Sequence, residues 1–147
     1  MEVIETATIA GVCLTWSGMV LAISFLEAPL KFRAPEVTVR IGLGIGRIVF
    51  RALNAVEAVL AVVVVVAGVL GAFTGDVPGS VLVAAAVAVV VLVTQLVAIR
   101  PVLNRRSDRV LAGETAPRSR MHLVYVAAEV VKVAALLTSG VLALSAL

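Results

Sequence analysis

Four long apolar stretches, 6–26, 48–73, 80–99 and 122–147, decide the solvent in which this chain folds. Each is close to the roughly 20 residues that a helix needs to cross a hydrocarbon core of about 30 Å. With 62% hydrophobic and 14% charged residues among 147, a soluble domain of this size has too small an interior to hide its apolar surface. The expected fold is an all-α integral membrane protein, a single membrane domain (1–147) arranged as a four-transmembrane-helix bundle. Segments 27–47 and 100–121 are then expected to be basic loops.

The charges are sorted along the chain. Lys31, Arg33, Arg40 and Arg47 lie between the first two stretches, with Arg51 just inside the second; Arg100, Arg105, Arg106, Arg109, Arg118 and Arg120 lie between the third and fourth. The opposite ends carry only the acids Glu2, Glu5 and Asp76. The bias of Lys and Arg toward cytoplasmic loops predicts that both termini are extracytoplasmic. This topological role accounts for the net charge of +3 without a nucleic-acid partner. The first stretch has no basic flank of the signal-peptide kind, so it is expected to remain as helix 1. Cys13 follows a bulky residue, unlike a lipoprotein cysteine, and is expected to be a buried, inert thiol.

A shift of 72 residues superimposes the first helical hairpin on the second, placing Pro29 on Pro101, Arg33 on Arg105, Glu57 on Glu129 and Gly68 on Gly140. Two parallel hairpin repeats would set Glu57 and Glu129 at matching depths in a bundle. Ionisable groups at membrane depth cost several kcal/mol unless paired or solvated, so Glu57, Glu129 and Lys132 are the strongest functional clue. At 100° per residue, His122, Tyr125, Glu129 and Lys132 share an arc of roughly 80° on one helix. Arg47, Arg51, Asn54 and Glu57 form a second stripe, and Gln95 and Glu27 are candidates to join from the other helices. Pointed together, the stripes enclose a polar cavity open to the cytoplasm, with Glu57, Glu129, Lys132, Asn54, Tyr125, His122 and Gln95 as candidate solute- or ion-binding residues. Glu129 and Lys132, three residues apart on a helix, also satisfy each other as a purely structural pair. Glu27 and Arg51 also read as surface-anchoring groups, His122 as an interfacial hydrogen-bonding residue and Gln95 as an interhelical one.

Ligand counting excludes sharper chemistries. One histidine cannot provide a bis-histidine haem, and Glu129-x-x-Lys132 replaces the Glu-x-x-His of carboxylate di-metal bundles. Cys13 and Met19 fall far from His122 along the expected topology, so no copper set forms; no metal and no cofactor are expected. Gly42-Leu43-Gly44-Ile45-Gly46 follows no strand and opens no βαβ unit, so it is not a dinucleotide loop. Segment 35–47 is expected to be a short interfacial or re-entrant piece, with Gly42 and Gly46 allowing close helix contact. The basic run 104–109 has room for a helical turn against anionic headgroups.

Trp16-Ser17-Gly18, then Phe25, Pro29 and Phe32-Arg33, with a basic loop before a histidine at the start of the last helix, resemble a family of small four-helix membrane proteins. It includes the eukaryotic transmembrane protein associated with cisplatin resistance and its bacterial relatives. The resemblance implies the four-helix fold and a membrane location; the location expected for the chain is the cytoplasmic membrane of a bacterium, as a multi-pass protein. It implies no particular reaction.

Two functional classes remain open. In one, the polar cavity binds or transports a small solute or ion; in the other, the chain is an accessory or assembly subunit whose buried charges are structural and whose small residues, such as Ala7, Gly11, Gly68 and Gly71, dock a partner. No nucleophile–base pair can be assembled at membrane depth, so an enzyme is not expected. The partners expected are the lipid bilayer and either a second copy of the chain, as a homodimer, or a larger membrane complex.

Overall fold

The computed structural model describes residues 3–115 and 120–147, so Glu2 and Arg118 lie outside the described residues. Among them, four helices are long and apolar enough to cross a membrane: α1 (Ile4–Arg33), α2 (Val39–Thr74), α3 (Gly79–Leu111) and α4 (Met121–Leu144). They run up and down through short connections. α1 packs against α2 and α4, and α4 packs against α3, which gives the four-helix arrangement expected from the sequence.

The surface is what a bilayer requires. Val59, Val62, Val83 and Val97 are 62%, 63%, 66% and 73% exposed, while Glu57, Glu129 and Lys132 are at most 1% exposed. In water that distribution would be strongly unfavourable; in hydrocarbon it keeps Glu57, Glu129 and Lys132 off the lipid contact face. The chain is a multi-pass membrane protein.

The expected loops 27–47 and 100–121 are largely helical. α1 continues through Arg33, α2 begins at Val39 and α3 continues to Leu111, so of the piece at 35–47 residues 35–38 form a turn and 39–47 the first turns of α2. Extending an existing helix adds one hydrogen bond for each residue ordered, which needs no new nucleus. At 36 residues and 1.5 Å per residue, α2 is about 54 Å long, so its basic beginning reaches past the hydrocarbon layer. Hydropathy marks where lipid contact ends, whereas the helix ends only where its hydrogen bonding is broken. Here that occurs at Pro35 and Glu36, the latter at φ 65°, after which Thr38 Oγ1 caps α2 by accepting from the Ile41 N–H at 3.3 Å.

The opposite connection is tighter. Gly75, at φ 82°, ends α2, and Gly71 O accepts from the backbone N–H groups of Gly75, Asp76 and Val77. Thr6 Oγ1 donates to Asp76 O at 3.1 Å, tying the start of α1 over this turn.

Two widened, π-helical turns interrupt the α-helical pattern, at Leu21–Glu27 in α1 and Gln95–Ile99 in α3. Each precedes a proline, Pro29 or Pro101, whose ring displaces the carbonyl one turn earlier and whose nitrogen has no proton to donate.

Candidate functional site

Five buried polar side chains from all four helices meet inside the bundle. Lys132 Nζ, on α4, donates to Glu57 Oε1 on α2 at 2.5 Å and to Gln95 Oε1 on α3 at 2.8 Å. It also lies 3.4 Å from Glu129 Oε1 and 3.3 Å from Glu129 Oε2, one helical turn away. Trp16 Nε1, on α1, donates to the same Glu57 oxygen at 2.8 Å. Each of these side chains is at most 2% exposed.

This geometry follows from burial. An ammonium has three protons, and Lys132 finds three acceptors, one each on α2, α3 and its own helix. Two carboxylates against one ammonium leave the cluster with an excess formal negative charge. Glu57 Oε2 and Gln95 Nε2 carry no hydrogen bond, and Glu129 Oε2 has only the ion-pair contact with Lys132, so the cluster still has acceptor and donor capacity.

A cavity of about 490 Å³ opens at the basic end of the bundle and reaches the Glu129 side of the cluster. All four helices line it, including Ser24 and Phe32 from α1, Phe50 from α2, Arg100 from α3 and Tyr125 from α4. Gly42 and Gly46 matter here: a Cβ at Gly42 would overlap the Phe32 ring, and one at Gly46 would stand 3.1 Å from Lys31 Nζ. These glycines are the close-contact points expected from the sequence.

The cations around the cavity have different partners. Lys31 pairs with Glu27 at 3.3 Å, and Arg47 pairs with Asp108. Arg100 is held by neutral acceptors: its Nη2 donates to Phe50 O at 3.4 Å and Asn54 Oδ1 at 3.3 Å. Its guanidinium lies 4.8 Å from the Phe50 ring centre and 5.3 Å from that of Tyr125, and the two rings meet edge to face at 6.0 Å. The Tyr125 hydroxyl stands beside Glu129 and Arg100 but closes no well-aligned hydrogen bond.

The expected residues therefore divide into three groups. Glu57, Gln95 and Lys132 form the sealed core of the cluster; Glu129, Tyr125 and the exposed His122 line the cavity; Asn54 stands outside the lining and positions Arg100. Glu27 does not join the cavity, because Lys31 one turn later holds it, and Arg51 faces outward. Cys13 is fully buried. Trp16, Arg100, Phe50 and Ser24 are the contributors that sequence reasoning did not place in the site. For Trp16 a signal existed: its indole N–H lies in mid-span rather than in an interfacial belt, where it needs a buried acceptor.

Among the described residues, no three His, Cys, Asp or Glu side chains converge as a metal-binding group. No protein-family model, curated protein or solved structure matches the chain, so the site is read from its own geometry.

Proposed function

We propose that this protein binds a small polar solute in the cavity at its basic end and serves its movement across the membrane. The observation that carries this reading is the continuity of the 490 Å³ cavity with Glu129, a carboxylate of a charge cluster buried inside the bundle. A group placed there contacts solute on one side and Lys132 on the other, so solute binding is coupled to the ionic cluster. In this reading the basic end lies at the cytoplasm and both termini on the other side of a bacterial cytoplasmic membrane, which the bias of Lys and Arg toward cytoplasmic loops supports.

The duplication proposed from the sequence gains two supports. Glu57 and Glu129, related by the 72-residue shift, converge on one ammonium, and the same shift carries the widened turn at Leu21–Glu27 onto the one at Gln95–Ile99. Membership of the four-helix family resembled at Trp16-Ser17-Gly18, and assembly as a homodimer, belong to the same proposal.

The second reading, an accessory subunit, is favoured by the way Trp16, Glu57, Gln95 and Lys132 tie all four helices into one closed set. Native mass spectrometry of the protein extracted from its own membranes separates the two. Wild type is expected to carry a discrete small-molecule or ion adduct that Glu129→Gln loses while remaining monodisperse with unchanged Trp16 fluorescence. A larger protein retained at fixed stoichiometry by wild type and Glu129→Gln alike, with no adduct, would establish the accessory role instead.

A further inference from the structure

Four residues that line the cavity carry a buried polar atom that no aligned hydrogen bond satisfies: Ser24 Oγ, Arg100 Nε, Tyr125 Oη and Glu129 Oε2, the last with only Lys132 Nζ beside it at 3.3 Å. Their occurrence around one cavity matters because an orphaned buried polar atom costs about 1–3 kcal/mol, and native folds retain few. They also have a polarity. Glu129 Oε2 only accepts and belongs to a cluster with one carboxylate in excess; Arg100 Nε only donates, on a cation that pairs with no carboxylate among the described residues. Tyr125, adjacent to both, can donate or accept, as can Ser24.

Resting on the solute-binding reading above, we propose that the occupant is a small zwitterion with an apolar body. Its anionic group meets Arg100, its ammonium meets Glu129 Oε2, and Tyr125 and Ser24 supply the remaining hydrogen bonds. A simple anion would face repulsion from the Glu129 side, and a simple cation would leave Arg100 Nε unsatisfied. The apolar body lies against Phe25, Phe32 and Leu43, which line the same space. A cavity of about 490 Å³ falls within the usual range of roughly 300–1,000 Å³ for small-molecule sites. Two sources share this chemistry, a free amino acid and a lipid headgroup bearing a phosphate and a primary ammonium.

Three probes of one shape test the assignment: L-phenylalanine, 3-phenylpropionate, which lacks the ammonium, and 2-phenylethylamine, which lacks the carboxylate. Each is titrated calorimetrically into the full chain in phosphatidylcholine nanodiscs. Phenylalanine is expected to bind at least about tenfold more tightly than either analogue, as expected when one hydrogen-bonded charge is removed from a buried contact. Arg100→Gln should erase the preference over phenylethylamine alone, and Glu129→Gln the preference over phenylpropionate alone. The comparison among probes on wild type decides the matter even where a variant fails to fold. If phenylpropionate or phenylethylamine binds as tightly as phenylalanine, the zwitterion assignment falls while the cavity remains a solute site. If none of the three binds, the zwitterion assignment falls, and the solute-binding reading is decided separately by the adduct in native mass spectrometry. Nanodiscs containing phosphatidylethanolamine identify the source: suppression of phenylalanine binding assigns the site to the headgroup zwitterion, and unchanged binding assigns it to a free solute.

Discussion

The two halves of this bundle use the same four helices in opposite ways. On the side of the termini, Ile9, Ala10, Val81, Ala85, Leu136 and Ala143 fill the interior. Gly140 lies so close to Leu14 that a Cβ there would meet its side chain at 2.8 Å, and Ser139 Oγ donates to Val81 O at 3.1 Å. On the basic side, aromatic rings and guanidinium groups surround a cavity. The charge cluster forms the boundary. Small residues let helices approach and exclude everything else, whereas long, stacked cationic side chains hold helices apart and leave room between them. Both widened turns fall in or beside the cavity-bearing half, where Ser24 sits in the first and Arg100 directly follows the second.

The sharpest way to break this contrast is at the boundary. Lys132→Met leaves two carboxylates in a dry interior, and removing one partner from a buried ionic set costs about 3–5 kcal/mol. The expected result is a large fall in thermal stability, monitored through the single tryptophan of the chain, Trp16. Adding Glu57→Gln and Glu129→Gln to Lys132→Met should recover most of the loss, because a cluster replaced as a whole leaves no orphaned charge. An unchanged melting temperature in Lys132→Met alone would show that the cluster does not clamp the four helices.

Within the packed half, Leu136→Ala should cost about 2–5 kcal/mol, since the residue is fully buried and the cavity left by its side chain has no solvent to fill it. Ligand selectivity should stay as in wild type once the variant is folded. A change in selectivity would mean that the two halves are mechanically one. The smallest effect belongs to the rim: Arg47 and Asp108 form a pair whose side chains are 31% and 57% exposed, and Arg47→Gln should change stability by only about 0–1 kcal/mol. Any weakening of solute binding in Arg47→Gln should fade at high salt, because a rim charge acts through a screened field.

The resemblance between helix and loop in this chain explains where sequence reading stopped. Segment 100–111 carries Arg100, Arg105, Arg106 and Arg109 and reads as a basic loop by hydropathy, yet it is helical throughout. Hydropathy reports the solvent around a segment, and a helix leaving the bilayer changes solvent without changing backbone. The site was partly legible for a related reason. Glu57, Glu129 and Lys132 announce themselves because an ionised side chain in lipid must find a partner. Arg100 did not, because an arginine at a membrane boundary satisfies every sequence rule for a solvated, topology-setting residue.

The sequence by itself determined the class of molecule, its four crossings, the sorting of basic residues to one end and the three ionisable groups that had to be buried. Those follow from the transfer energy of each side chain between lipid and water, which depends on residue type and local order alone. The tertiary structure decided which acceptors Lys132 takes, that Trp16 completes the set, and that Glu129 faces a cavity while Glu57 does not. These depend on how the helices are rotated and spaced. In a chain so rich in valine and alanine, apolar periodicity carries little information about rotation, and interhelical packing and hydrogen bonds set it instead.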